Sequence, residues 1–341
     1  MITGIGSCLP AHSLDNDEVI RTGALDTTDE WIRTRTGITR RRRVTPGTAT
    51  GDLATAAGRA AMTSAGLRPD LVLLATTTPD RPCPATAPAV AHRLGLGEVP
   101  AFDLAAVCSG FLYGLVTATA LLRAGVCRTP LVIGADTYSA IIDPHDRDTA
   151  ALFGDGAAAV VLTPGPADAP GSVLHAALGS DGSGEELITV PGGGSRHPAR
   201  LPQPLREPHS FRMRGREVYA HAVRRMTGSA RTVLDLAGWP AGTVEAFVAH
   251  QANQRILDSV ADRLGIGDRN RFGNIDRLGN TAAASIPLVM ADPEVHAAVR
   301  PGARTLLTAF GGGLTWGSIA LTWPTAVPHR LPVEQPPATD T

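Results

Sequence analysis

The sequence predicts an α/β fold built from two duplicated halves. Two segments, AGLRPDLVLLATTT from residue 65 and AGWPAGTVEAFVAHQA from residue 237, each contain a helix end, a turn and a buried strand. Their glycines, Gly66 and Gly238, lie 172 residues apart, which indicates an internal repeat. Short apolar runs separated by helical stretches predict helices packed around largely buried strands. These runs are residues 71–77, 131–135, 157–162, 246–249 and 305–310.

The boundary between the halves is predicted at TPGPADAPGS, residues 163–172, which has three prolines and no hydrophobic periodicity. We therefore expect an N-terminal half at 1–165 that carries a candidate nucleophile, and a C-terminal half at 172–324. Residues 325–341 contain four prolines and no apolar period, and they are predicted to form a disordered tail.

Composition and charge exclude several classes of protein. The chain has 341 residues, of which 43% are hydrophobic, so it is long enough to bury a large core and too apolar to be disordered. Its formal net charge of −1 argues against a nucleic-acid binder, which would present a basic face. No stretch approaches the roughly 18 apolar residues of a membrane span.

The cysteines and the N-terminus indicate a reducing, cytoplasmic location. Cys8, Cys83, Cys108 and Cys127 form no CxxC pair, and their spacing fits neither a zinc site nor a secreted disulfide framework. We therefore predict no metal site. The first residues, MITGIGSCLPAHS, lack the basic and then apolar regions of a secretory signal.

Cys108 is the candidate nucleophile. It lies where an apolar stretch gives way to a Ser-Gly turn and then to a helical pattern. A thiol at a helix N-terminus is predicted to favour its thiolate, which is the nucleophilic form. His250 and Asn280 are suited to stabilise a carbonyl oxygen or a carbanion. Cys108 and Asn280 are also 172 residues apart, which predicts equivalent places in the two halves.

Five blocks of sequence resemble the β-ketoacyl-acyl-carrier-protein synthase III family of thiolase-fold condensing enzymes. They occur in the family's order from about residue 3 to residue 323. The resemblance implies a thiolase-like, five-layered αβαβα fold with the active site between the two halves. The blocks are TTDEWIRTRTGI (27–38), AAVCSGFLYGL (105–115), LFGDGAAAVVL (152–162), HQANQRI (250–256) with GNTAAASIP (279–287), and AFGGGLTWGS (309–318).

The family's chemistry maps onto this chain residue by residue. An acyl thioester of coenzyme A would load Cys108, with the N–H groups of Cys108 and Gly312 as the oxyanion donors. A malonyl thioester, carried by malonyl-acyl carrier protein, would then lose CO₂. His250 and Asn280 would stabilise the enolate, which attacks the acyl group to give a 3-ketoacyl product. Coenzyme A is a substrate in this scheme, and no permanently bound cofactor is expected.

The resemblance also assigns residues to coenzyme A. Trp31 and Arg147 match the pair that sandwiches the adenine, since indole and guanidinium planes both stack on an aromatic ring. Arg35 matches a phosphate contact, Thr27 an adenine contact and Asn253 a pantetheine contact.

The acyl pocket is assigned to Cys83 and Phe310. Cys83 stands where acetyl-using members carry a bulky aromatic side chain, on a segment that comes from the partner subunit of a homodimer. We therefore predict a homodimer and a starter acyl group longer than acetyl.

Carrier-protein docking is assigned to Arg255 and Arg263. Asp262 and Ala220 occupy positions that are lysine in well-known fatty-acid members, which leaves the identity of the carrier open. The run of arginines at 40–43 is interpreted as a solvated basic patch.

Three functions remain open at this point. Decarboxylative condensation, which starts a fatty acid or a polyketide chain, is favoured by the presence of Asn280, because simple acyl transfer needs no enolate stabiliser. The second is acyl transfer to a hydroxyl or an amine by the same cysteine. The third is an inactive partner in a heterodimer, and the joint presence of Cys108, His250 and Asn280 argues against it.

Overall fold

The computed structural model describes residues 1–198 and 209–333, which form two large mixed sheets. The first sheet has the strand order β15-β1-β7-β6-β4-β5, and the second has the order β12-β11-β13-β14-β8. The first comprises β1 (Ile2–Cys8), β4 (Leu71–Ala75), β5 (Ala101–Leu104), β6 (Pro130–Asp136), β7 (Gly156–Leu162) and β15 (His329–Arg330). The second comprises β8 (Val173–Ser180), β11 (Ala246–Ala249), β12 (Arg271–Phe272), β13 (Arg304–Gly311) and β14 (Thr315–Thr322).

The two sheets repeat one topology. In the first, β1 is antiparallel to β7 and β7 to β6, whereas β6, β4 and β5 are parallel. In the second, β8 is antiparallel to β14 and β14 to β13, whereas β13, β11 and β12 are parallel. Two short ribbons complete the strands: β2 (His12–Asp15) with β3 (Arg40–Arg43), and β9 (Ile188–Thr189) with β10 (Arg212–Met213).

The helices form three layers around these sheets. In the described ranges none of them is long and apolar enough to cross a membrane. They are α1 (Asn16–Gly23), α2 (Asp29–Thr36), α3 (Thr50–Ala65), α4 (Ala87–Arg93), α5 (Gly110–Arg123), α6 (Gly215–Ala237), α7 (Gln254–Leu264), α8 (Ile275–Leu278), α9 (Ser285–Met290) and α10 (Pro293–Ala298). Helix α3 packs on the first sheet and α6 on the second, while α5 and α9 contact strands of both. The predicted five-layered, thiolase-like α/β fold is therefore confirmed.

The burial of the central strands accounts for their continuous apolar sequences. Every residue of β4, β6, β7 and β11 is buried, since each strand is covered by helices on both faces. One apolar cluster joins the two sheets through the middle layer and includes Ile5, Phe111, Val289, Leu307 and Ile319. The loops at this shared layer are where the halves meet.

The number of residues between equivalent positions of the two halves changes after the first turn of the repeat. Gly66 and Gly238 both end a helix in the left-handed conformation, at φ 63°. However, β4 begins at Leu71 and β11 at Ala246, which are 175 residues apart, because the connection in the second half is three residues longer. The predicted equivalence of Cys108 and Asn280 is therefore wrong, and Cys108 corresponds to Ala283.

The region after residue 324 is not uniformly a tail. Strand β15 pairs in parallel with β1, and the Leu331 N–H donates to the Ser7 carbonyl at 3.1 Å. The prediction of disorder is therefore wrong for residues 325–333, because β1 offered a free edge that this segment covers. The rest of the predicted tail, 334–341, lies outside the described residues.

The arginine run is not a solvated patch. Arg41 is fully buried, and its Nη2 donates to Asn16 Oδ1 and to the Ala151 carbonyl, both at 2.6 Å. The alternation of β3 turns this side chain inward, where it ties the α1 region to the segment before β7.

Candidate active site

Cys108 lies in a strained turn between β5 and α5. A 3₁₀ turn at Val107–Ser109 leads directly into the helix, and Val107 has φ 48°, a left-handed value that a β-branched residue rarely adopts. Gly311 fits against this turn, since a Cβ there would lie 2.8 Å from the Cys108 nitrogen. The glycine run therefore allows the end of β13 to approach the nucleophile closely.

The surroundings of Cys108 oppose its thiolate form. Burial raises the pKa of Cys108, and the neighbouring Asp136 carboxyl raises it further. Burial therefore acts against the thiolate that the helix N-terminus is predicted to favour, and that prediction stays untested. Negative charge on the sulfur must instead be stabilised by groups that act during the reaction.

His250 directly follows β11 and is fixed at three atoms. Its N–H donates to the Thr308 carbonyl at 2.8 Å, its carbonyl accepts from the Ala252 N–H, and its Nδ1 lies 2.7 Å from Ser285 Oγ. Burial lowers the pKa of His250 to about 3, so the ring is neutral at physiological pH. Ser285 Oγ also accepts the Gln251 N–H at 3.4 Å, and among the described residues His250 Nδ1 is the acceptor within reach of the Ser285 O–H. The imidazole proton is then on Nε2, where it can be donated.

Asn280 is held by the other half of the molecule. Its N–H donates to the Leu152 carbonyl and its carbonyl accepts from the Gly154 N–H, so it pairs with Phe153 as a short parallel bridge. Its Oδ1 accepts from the Ala282 N–H at 2.9 Å. Within the described part of the chain no acceptor takes its Nδ2 protons, which leaves that amide free to donate.

Asp136 connects the loop after β4 to the 3₁₀ turn Ala282–Ala284 that follows Asn280, and it was not identified from the sequence. It ends β6 and accepts hydrogen bonds from the Thr77 N–H at 2.7 Å and from the Ala283 N–H at 3.0 Å. Burial raises the pKa of Asp136 to about 7. The sequence feature that could have identified Asp136 is a single carboxylate at the end of an apolar strand. No sequence feature marks Ser285, because its contact with His250 is a tertiary one.

Gly312 is buried directly after β13, beside Ile188. No contact of the described residues tests its oxyanion role, which stays a prediction. In the same ranges, no three His, Cys, Asp or Glu side chains group as a metal site.

An aromatic cluster, defined as Tyr138, Phe153 and Phe211, packs with Cys108 and Ala282 in one apolar group. Phe310 is buried in the neighbouring group on the α6 and α7 side, and Ile188 and Met213 pack against both. Cys83 is exposed in the single chain. The pocket roles of Phe310 and Cys83 therefore stay predictions.

The residues assigned to coenzyme A lie along α2 and beside it. Trp31 and Arg35 are exposed one turn apart on α2, and the Arg147 guanidinium lies 4.8 Å from the centre of the Trp31 ring. Helix α2 packs against α7, whose N-cap residue is Asn253. Thr27 Oγ1 is buried without a hydrogen-bond partner in the described structure. A ring held between Trp31 and Arg147 needs about 7 Å between the two planes, so the pair must open by about 2 Å.

The residues assigned to the carrier protein lie on α7. Arg255 and Arg263 are both exposed, and the Arg255 guanidinium lies over the Tyr219 ring at 5.8 Å. Asp262 is paired with Arg271 at 2.6 Å, and the same guanidinium also contacts Asp258 and Asp268.

Comparisons with known proteins agree with this arrangement. The family model "3-Oxoacyl-[acyl-carrier-protein (ACP)] synthase III" matches residues 102–182, and the model of its C-terminal region matches residues 234–323. The chain is 56% identical over 329 residues to β-ketoacyl-[acyl-carrier-protein] synthase III 2 of Streptomyces coelicolor, covering 96% of this chain and 95% of that protein. It is 48% identical to the β-ketoacyl-[acyl-carrier-protein] synthase III of Pseudomonas aeruginosa, covering 96% and 98%.

Two solved structures show the same fold. The crystal structure of 3-oxoacyl-(acyl carrier protein) synthase III from Pseudomonas aeruginosa PAO1 has a TM-score of 0.89 at 46% identity, and the match covers 96% of this chain and 99% of that one. The priming β-ketosynthase from the R1128 polyketide biosynthetic pathway has a TM-score of 0.85 at 34% identity, with coverage of 95% and 96%.

Proposed function

This chain belongs to the β-ketoacyl-[acyl-carrier-protein] synthase III family, and we propose that it loads an acyl group from coenzyme A onto Cys108 and condenses it decarboxylatively with malonyl-acyl carrier protein. One observation carries the condensation step. A neutral His250 with its proton on Nε2 and an Asn280 amide whose Nδ2 has no acceptor among the described residues are both hydrogen-bond donors. Asn280 lies just before the Ala282–Ala284 turn, which contacts the turn of Cys108. Two neutral donors suit an enolate oxygen.

The reaction proceeds in two steps. In the first, the Cys108 sulfur attacks the acyl thioester, the bond to the coenzyme A sulfur breaks, and the thiol proton ends on the released coenzyme A. In the second, the malonyl group loses CO₂ and its electron pair forms the enolate. His250 and Asn280 stabilise the enolate oxygen, and the carbanion attacks the acyl group to release a 3-ketoacyl thioester. Cys108 and Gly312 donate their N–H groups to the tetrahedral oxyanion in this proposal.

Coenzyme A would enter along α2. The closeness of Trp31 and Arg147 supports the adenine site, and the unpaired Thr27 Oγ1 is a polar atom that the adenine could satisfy. Arg35 would pair with phosphate and Asn253 would contact the pantetheine arm, since α2 and α7 pack together.

The acidic carrier protein would dock on α7 through Arg255 and Arg263. The exposure of both arginines supports this face. We further propose a cytoplasmic homodimer in which the exposed Cys83 segment reaches the partner's acyl pocket. The four free cysteines fit a reducing compartment.

The test is to incubate the purified protein with acyl-CoA and malonyl-carrier protein and to weigh the carrier by mass spectrometry. Condensation predicts a carrier that has lost CO₂ and gained the acyl group. Acyl transfer to an added hydroxyl or amine acceptor, with the malonyl carrier unchanged, would contradict the proposal and favour the second function. Cys108→Ala is the matched control and should give neither product.

A further inference from the structure

Two buried hydroxyl groups beside Cys108 have no hydrogen-bond partner among the described residues. They are Tyr138 Oη and Thr77 Oγ1. The Tyr138 hydroxyl faces both Thr77 and the Cys108 sulfur, but it is in hydrogen-bond geometry with neither in the resting state. An unpaired buried hydroxyl is costly, and the Cys108 sulfur beside the phenol becomes a strong acceptor when it carries negative charge.

The Tyr138 ring has no freedom to turn its hydroxyl elsewhere. It is fully buried in a 3₁₀ turn that follows β6. It stacks on Phe153 with ring centres 4.5 Å apart and an angle of 9°, and it meets the Phe211 ring at 5.3 Å and 70°. A phenylalanine would make the same ring contacts, so packing alone gives no reason for the hydroxyl.

We propose that Tyr138 is a further catalytic residue whose hydroxyl donates a hydrogen bond to the Cys108 sulfur whenever that sulfur carries negative charge. The proposal rests on the proposed function, in which the sulfur carries a negative charge at two points of the reaction. It is the thiolate that attacks the acyl-CoA carbonyl, and it is the leaving group when the carbanion attacks the acyl-cysteine. In the second step a C–C bond forms, the C–S bond to Cys108 breaks, and its electron pair returns to the sulfur. Tyr138 keeps its proton throughout.

The surroundings of Cys108 oppose negative charge on the sulfur, which a nearby donor would offset. The sulfur is buried, and the fully buried Asp136 carboxyl at the end of β6 opposes negative charge on it. His250, after β11, is neutral and contributes no positive charge. Tyr138 is a side-chain donor beside the sulfur that can offset this repulsion. Thr77, on the loop after β4, would act as a positioning residue by donating to Tyr138 Oη.

The test measures the Cys108 sulfur directly and needs neither acyl-CoA nor a malonyl thioester. Wild type and Tyr138→Phe are alkylated with iodoacetamide from about pH 6 to about pH 11, and alkylation is followed on the Cys108 peptide by mass spectrometry, because the exposed Cys83 also reacts. The expected result for Tyr138→Phe is an alkylation rate about tenfold lower at neutral pH and a midpoint raised by about one pH unit. Thr77→Val should move the midpoint in the same direction by less.

Phe153→Leu is the packing control, since it loosens the same aromatic cluster and keeps the hydroxyl. It should lower the melting temperature without raising the alkylation midpoint. Superimposed curves for Tyr138→Phe and wild type would overturn the proposal, as would an equal upward shift in Phe153→Leu. If Tyr138→Phe does not fold, an unmoved midpoint in Thr77→Val overturns it instead. Failure of the condensation assay would leave the alkylation result intact, so the two proposals fail separately.

Discussion

Ser285 Oγ lies 2.7 Å from Nδ1 of His250, with both side chains buried. The serine also accepts the Gln251 N–H, and among the described residues Nδ1 is the acceptor within reach of its O–H, so the neutral ring carries its proton on Nε2. This one hydroxyl therefore determines that His250 acts as a donor at the proposed enolate site.

Ser285→Ala should slow decarboxylation of a malonyl thioester by about tenfold, because the ring loses the contact that selects its tautomer. Acyl loading of Cys108 should be unchanged. Both rates can be followed by CO₂ release and by intact mass. Ser172→Ala is a matched control that loses a hydrogen bond to the Pro166 carbonyl in the loop between the halves. Unchanged CO₂ release in Ser285→Ala would contradict the tautomer argument.

His250→Ala and Asn280→Ala should separate the two half-reactions. Each variant should still acquire an acyl group on Cys108, since the oxyanion donors of that step are backbone groups. Each should lose decarboxylation by about 10²–10³-fold, the value of an oxyanion donor in other enzymes. Full CO₂ release by both variants would remove their proposed role and favour simple acyl transfer.

Trp31→Ala and Arg147→Ala should raise the apparent KM for acyl-CoA by about tenfold and change kcat little. Their contacts are to the nucleotide, which does not change in the transition state, so the binding lost is uniform. Acyl-pantetheine lacks the adenine and serves as the control substrate. Equal damage with both substrates would mean that these residues act through folding.

Cys83→Phe should shift the preferred starter toward acetyl. A thiol leaves volume that a longer acyl chain can occupy, and each added buried methylene is worth about 0.8 kcal/mol, or roughly fourfold in kcat/KM. The measurement is a competition among acetyl-, isobutyryl-, butyryl- and hexanoyl-CoA. A wild type that prefers acetyl-CoA, with an unchanged order in the variant, would show that Cys83 does not line the pocket.

Neutral, buried His250 predicts a pH dependence of stability. The unfolded chain takes up a proton near the usual histidine pKa of 6.5, whereas the folded site resists until about pH 3. Between these values the unfolded state binds more protons, so the free energy of unfolding falls as the pH is lowered. His250→Gln removes this contribution and should lose less stability than wild type between pH 6.5 and pH 4 in urea titrations. If wild type and His250→Gln lose the same unfolding free energy over this pH range, the wild-type imidazole lies in a more polar environment than the structure indicates.

The sequence predicted the fold and the main site residues where a local pattern carried them. Apolar runs marked β4, β6, β7, β11 and β13, because strands buried on both faces have no polar alternation. Strand β1 was not predicted, because it has Gly4 and Gly6 in place of apolar side chains. Helix α3 packs too closely against these two positions to leave room for a Cβ. Tertiary relationships also could not be predicted from the sequence. They include the contact of Ser285 with His250, the inward orientation of Arg41 and the three-residue insertion that changes the offset of the repeat.

The most direct test of the account isolates the acyl-enzyme. The protein is treated with acyl-CoA, freed of coenzyme A by gel filtration, and then mixed with malonyl-carrier protein, and both proteins are weighed over time. The account predicts one acyl increment on Cys108 that disappears as the carrier loses CO₂ and gains the same acyl group. An increment that persists while the carrier remains malonylated, or an acyl group that reaches the carrier without loss of CO₂, would contradict it.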